Sequence, residues 1–144
     1  MKILLFDYDN DFVRSTVAKV SCEKILVMGK ETEDVRKFEP DRVICYQNPD
    51  VVKKCISEKV NCIQIYQEDE YSVESKNVFC AKVFPLDYNS VINSKANDLM
   101  TLTSLEEGSR YISGLVTDFK SGVHNISNQD VITVKYIQEF YNIE

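Results

Sequence analysis

KILLFDYDNDFVR, residues 2–14, joins a short apolar run to three acids at alternate positions, Asp7, Asp9 and Asp11. Four consecutive large apolar residues, Ile3, Leu4, Leu5 and Phe6, predict a strand buried on both faces, the pattern of a central parallel strand. Its carboxyl end carries the acids. Ligands of open α/β sheets bind at the carboxyl ends of the strands, so the charge falls where a cation or phosphate site is expected.

Working outward, Asn10 or Asp11 caps a helix from Phe12 to Val20, whose stripe is Phe12, Val13, Val17 and Val20. Ile25–Met28 reads as a second strand closed by Gly29, and residues 32–38 as a short helix with acids in its first turn. Pro40 and Asp41 lead into a third strand, Arg42–Tyr46; Asn48-Pro49-Asp50 opens a helix to Lys59. Val60–Tyr66 and Val78–Phe84 are the fourth and fifth strands, joined by a short acidic connection and stopped by Pro85. A helix over 88–99 completes the pattern. Strands alternating with helical segments call for a parallel sheet built from βαβ crossovers.

The net charge of −6 argues against nucleic acid as a partner, because that binding draws on clustered Lys and Arg. The apolar run after Lys2 is too short for a signal-peptide core or a membrane span, which predicts a cytoplasmic protein. Cys22, Cys45, Cys55, Cys62 and Cys80 lack CxxC spacing and read as buried free thiols. His124 falls in an expected surface loop.

Residues 100–144 read as a helical C-terminal extension to a domain spanning 1–99. Ser104 and Glu107 form a capping box ahead of Leu105, Ile112, Leu115, Val116 and Phe119, and Gly122 closes that helix. Gly108 and Gly114 each weaken it by about 1 kcal/mol relative to Ala. Val131–Ile143 is apolar and aromatic, with Ile137, Phe140 and Tyr141 at helical spacing. Such a surface must be covered. It either folds back or pairs with a second chain, so Leu105, Ile112, Leu115, Phe119, Ile137, Phe140 and Tyr141 are the expected contacts with a protein partner or within a homodimer.

In order and punctuation the chain resembles the CheY-like receiver domain of two-component response regulators. Three segments carry the likeness: KILLFDYDNDFVR, then Glu39-Pro40-Asp41-Arg42-Val43-Ile44 entering the third strand, then Val83-Phe84-Pro85-Leu86-Asp87 after the fifth. The resemblance implies a five-stranded, doubly wound, flavodoxin-like parallel sheet. It also implies a phosphorylation pocket, and here that pocket is degenerate. Tyr46 stands for the acceptor aspartate, Tyr66 for the hydroxyl residue, Phe84 (before Pro85) for the lysine, and Asp7 with Asp9 for the magnesium-binding acids. What the resemblance implies is therefore a pseudo-receiver: a non-catalytic signalling module, working by protein association, that calls for no cofactor beyond Mg²⁺ at Asp7 and Asp9.

Two other readings stand beside it. DYDND resembles the nucleophile loop of haloacid-dehalogenase-type phosphatases, with Asp7 as nucleophile and Asp9 as general acid/base. Alternatively, Asp9, Tyr46 and Tyr66 mark a sheet edge that senses a small ligand such as a nucleotide.

Overall fold

The structure, a computed structural model, describes residues 1–85, 99–100, 102–127 and 132–133. The strands are β1 (Lys2–Leu5), β2 (Ile25–Met28), β3 (Arg42–Tyr46), β4 (Cys62–Tyr66), β5 (Val78–Val83), β6 (Leu99–Met100), β7 (Gly122–Ile126) and β8 (Ile132–Thr133). The helices are α1 (Asp11–Ala18), α2 (Asp34–Lys37), α3 (Pro49–Glu58) and α4 (Leu105–Thr117), with a 3₁₀ turn at Asp69–Tyr71. Residues 88–98 of the helix expected over 88–99 lie outside the described residues, as do Ile137, Phe140 and Tyr141.

Six strands form one sheet in the order β2-β1-β3-β4-β5-β7, and every pairing in it is parallel. Five strands were expected. The sixth, β7, pairs with β5 from Phe79↔Gly122 to Val83↔Ile126, so the segment after α4 joins the sheet. His124 therefore sits on a strand rather than in a loop, exposed and stacked on Phe79 with ring centroids 5.1 Å apart. A separate antiparallel pair joins β6 to β8.

The apolar run of β1 explains the layering. Ile3 and Leu5 point to one face, Leu4 and Phe6 to the other, and all four are buried. On the first face they meet α1 and α4 through Phe12, Val13, Val17, Ile112, Leu115 and Val116. On the second they meet α2 and α3 through Val35, Val51, Val52 and Cys55. Each fully buried aliphatic chain contributes about 1.5–3 kcal/mol relative to exposure, so a strand that feeds two layers anchors both.

Local signals place the helices. Asn10 caps α1 by accepting from Phe12 N and Val13 N, Asn48 caps α3 through Val51 N, and Ser104 caps α4 through Glu107 N. The steps β3→β4 and β5→β7 run in the same direction across the sheet. However, α3 lies on one face and α4 on the other.

β2 is an edge strand. Ile25, Leu26 and Met28 are exposed there, because among the described residues β2 pairs with β1 alone.

Candidate functional site

The sheet order reverses direction between β1 and β3, which makes their carboxyl ends the crevice where such folds place ligands. Asp7 stands at the end of β1 with φ 56°, a left-handed conformation that Asp tolerates better than most residues. This turns its carboxylate toward β3, where Oδ2 accepts from Tyr46 N at 3.1 Å and from Asn48 Nδ2 at 3.1 Å. Asp7 therefore bridges the crevice.

The ends of β3 and β4 are stitched in the same way. Gln67 Nε2 donates to the Tyr46 hydroxyl at 2.6 Å, and Gln47 Oε1 accepts from Gln67 N and Glu68 N at 3.0 and 3.2 Å. Burial pushes the Tyr46 phenol above its ordinary value, against the opposing pull of the Gln67 hydrogen bond. The phenol keeps its proton at neutral pH. With its oxygen occupied by Gln67, the Tyr46 O–H is left to donate to a neighbouring acceptor.

Tyr66 is not part of this group. Tyr46 pairs in register with Ile65, so Tyr66, one residue on, projects to the opposite face. It is 1% exposed in the second core cluster. The sensor edge that joined Tyr46 to Tyr66 is thereby divided, because neighbouring residues of a strand face opposite ways.

The remaining expected site residues are placed as follows. Phe84 lies beneath Lys82, whose Nζ sits 5.3 Å from the ring centroid while pairing with Asp69 at 2.5 Å. Thr103 ties Phe84 to β7: Phe84 N donates to Thr103 Oγ1 at 2.8 Å, Thr103 N donates to Phe84 O at 2.8 Å, and Thr103 Oγ1 donates to the Ile126 carbonyl. No cis peptide occurs among the described residues, the one before Pro85 included. Asp9 is exposed, and among the described residues no group of three His, Cys, Asp or Glu side chains could hold a metal ion. In α4, Ile112 and Leu115 are buried and Leu105 is exposed, while Phe119, just beyond the helix, is half-buried.

Sequence reasoning did not find the Asp7–Asn48 bridge, the Gln47–Gln67 stitch or Thr103. All three join segments far apart in the chain, and no local pattern marks them.

Four buried cysteines, Cys45, Cys55, Cys62 and Cys80, share the second cluster, with Cys45 Sγ 3.8 Å from Cys62 Sγ. The contact with Cys45, together with burial, drives the Cys62 thiol well above its ordinary value. A thiol held protonated is a poor nucleophile, so these groups serve as core.

No family model matches the chain, and no curated protein does. Solved structures do. A dTDP-4-dehydrorhamnose reductase from Clostridium acetobutylicum superposes with a TM-score of 0.67 at 10% identity, covering 99% of this chain and 81% of that one. A GDP-L-fucose synthetase from Naegleria fowleri gives 0.67 at 8%, covering 98% and 82%. A dTDP-4-dehydrorhamnose reductase from Bacillus anthracis, solved in complex with NADP, gives 0.66 at 9%, covering 99% and 81%.

At these identities the likeness is one of fold, and the fold is Rossmann-like. It overturns the receiver resemblance, which rested on five alternating units that both folds share and which the sixth parallel strand exceeds. The readings built on that resemblance fall with it: the non-catalytic pseudo-receiver, its place in two-component signalling, and the expectation of no cofactor. These neighbours are named as enzymes, and one holds NADP.

Proposed function

We propose that this chain is a Rossmann-type domain of the sugar-nucleotide reductase and synthase class, taking a nucleotide-linked sugar at the carboxyl edge of its sheet, over β3 and β4. The observation that carries this reading is the near-complete overlap with enzymes of that class, at 98–99% of the chain. The edge supplies suitable chemistry. Tyr46 offers an O–H donor held in place by Gln67, and Glu68, exposed beside Gln67, offers an acceptor. Donors and acceptors of this kind match the hydroxyls and carbonyl of a sugar. With its proton retained, Tyr46 polarises a ligand oxygen rather than acting as a base.

The NADP of one neighbour supplies hydride chemistry when bound, but the residues at the β1–α1 turn do not fit its pyrophosphate. No helix among the described residues is long and apolar enough to cross a membrane. Free thiols 3.8 Å apart suit a reducing compartment, which supports a cytoplasmic setting.

The test is thermal unfolding with dTDP-rhamnose, UDP-rhamnose and GDP-fucose. A ligand at about a hundred times its Kd adds about 2.7 kcal/mol, which raises Tm by several degrees for a domain of this size. At least one of the three is expected to do so, and Tyr46→Phe with Gln67→Ala to remove the shift. Absence of a shift with all three overturns the reading.

A further inference from the structure

Rossmann-type folds that bind dinucleotides seat the pyrophosphate on the N-terminus of the first helix. They reach it through a glycine-rich turn that lets the backbone approach the phosphates. Here the turn is Phe6-Asp7-Tyr8-Asp9-Asn10-Asp11-Phe12-Val13, without a glycine, and its geometry is closed in three ways.

First, the helix amides are spent. Asn10 Oδ1 accepts from Phe12 N at 2.9 Å and Val13 N at 3.2 Å, the N–H groups that a phosphate oxygen would need. Second, Asp7 lies across the crevice and is fixed to β3 by its bonds from Tyr46 N and Asn48 Nδ2. Third, the local charge has the wrong sign. From Phe6 through Arg14 stand three carboxylates and one cation. That cation, Arg14, is turned onto the turn itself: it donates to the Tyr8 and Asp9 carbonyls at 3.1 and 2.7 Å and pairs with Asp11. Asp9 and Asp11 remain exposed beside the helix N-terminus, and a pyrophosphate would bring further negative charge against them.

We infer that the β1–α1 turn is a structural clamp closed to pyrophosphate, and that a nucleotide ligand of this sheet meets it away from α1. The inference goes beyond the sugar-nucleotide reading and does not depend on it, because it concerns where the phosphates cannot sit rather than which ligand binds.

The experiment is a fluorescence titration of the full chain with NADPH at physiological salt, on the wild type and on Asp9→Asn/Asp11→Asn. Both substitutions are at exposed positions and leave the Asn10 cap and the Asp7 bridge in place. With a Debye length of about 8 Å, charge removal at the turn changes the affinity of a distant anion by less than about threefold. The expected result is no saturable binding by the wild type up to about 1 mM, which is weaker than about 4 kcal/mol of binding free energy. Wild-type binding that the double substitution changes by less than about threefold also supports the inference, since the phosphates then lie away from the turn. Wild-type binding that the substitution changes more than that places the pyrophosphate on α1 and overturns it. Sugar-nucleotide stabilisation is read in a separate measurement, so either idea can fail alone.

Discussion

Asp7 reaches from the end of β1 to Asn48 at the start of α3, 41 residues away, and holds its side-chain amide at 3.1 Å. The same carboxylate oxygen takes Tyr46 N, so one side chain closes the crevice at the reversal of the sheet.

Asp7→Ala is therefore expected to destabilise by about 2–4 kcal/mol, combining strain at a positive φ with unpaired donors. Asp7→Gly relieves the backbone but still loses the bonds, and should cost less. Asp7→Asn keeps an acceptor and tolerates φ 56°, so it should cost least. Urea unfolding of the three variants checks the order; a mild Asp7→Ala would remove the clamp from the account.

Two glycines of α4 should behave oppositely. A Cβ at Gly114 meets nothing within 4 Å, so Gly114→Ala is expected to stabilise by up to about 1 kcal/mol through helix propensity. A Cβ at Gly108 would lie 2.5 Å from Thr103 Cγ2 and 3.2 Å from Phe12 Cε1. Overpacking of that kind costs about 1–3 kcal/mol, and Gly108→Ala should lower Tm despite the same propensity gain.

Thr103→Val should cost about 2–4 kcal/mol, because Phe84 N and the Ile126 carbonyl each lose a buried partner. Thr103→Ser keeps the hydroxyl and should retain most of that stability. Hydrogen exchange at Phe84 N reports the difference directly.

Stability should decline at alkaline pH. Burial lifts Cys80, and the contact with Cys62 together with burial lifts Cys55. The contact with Cys45 together with burial lifts Cys62. For Cys45 the contact with Cys62 favours the thiolate, yet burial and its neighbours carry the value upward. A thiol raised on folding contributes stability that is intact below its unfolded value, here 9.0. That stability is lost as pH rises above it, since the unfolded chain releases the proton first. Denaturation midpoints should hold from pH 7 to about 8.5 and then fall; replacing Cys55 and Cys62 with Ala should flatten the fall.

The sequence shows the sheet's interior more clearly than its limits. β2 and β3 stand where Gly29, Pro40 and Asp41 punctuate apolar runs, and three helix caps fall on Asn10, Asn48 and Ser104 as local chemistry demands. β7 escaped because GVHNI has only Val123 and Ile126 as apolar anchors. At the edge of a sheet an exposed strand needs no continuous apolar run. Without that strand, five alternating units fit a receiver and a Rossmann-like sheet equally well. Of the candidate site, the placement of Asp7 and Tyr46 at the carboxyl ends of β1 and β3 is legible in the sequence. Their partners Asn48 and Gln67 are not, because hydrogen bonds between distant segments leave no periodicity to read.

The edge at β2, unpaired among the described residues, bears on self-association. An unpaired strand is a template for another chain, and a second copy laid antiparallel must match residues that face the same way. Setting Leu26 opposite Met28 of that copy brings Lys24 opposite Lys30, and Glu23 opposite Glu31. Like charges facing across a strand pair repel. That register of self-association, which would cover Leu26 and Met28, is thus one that the charges flanking β2 oppose.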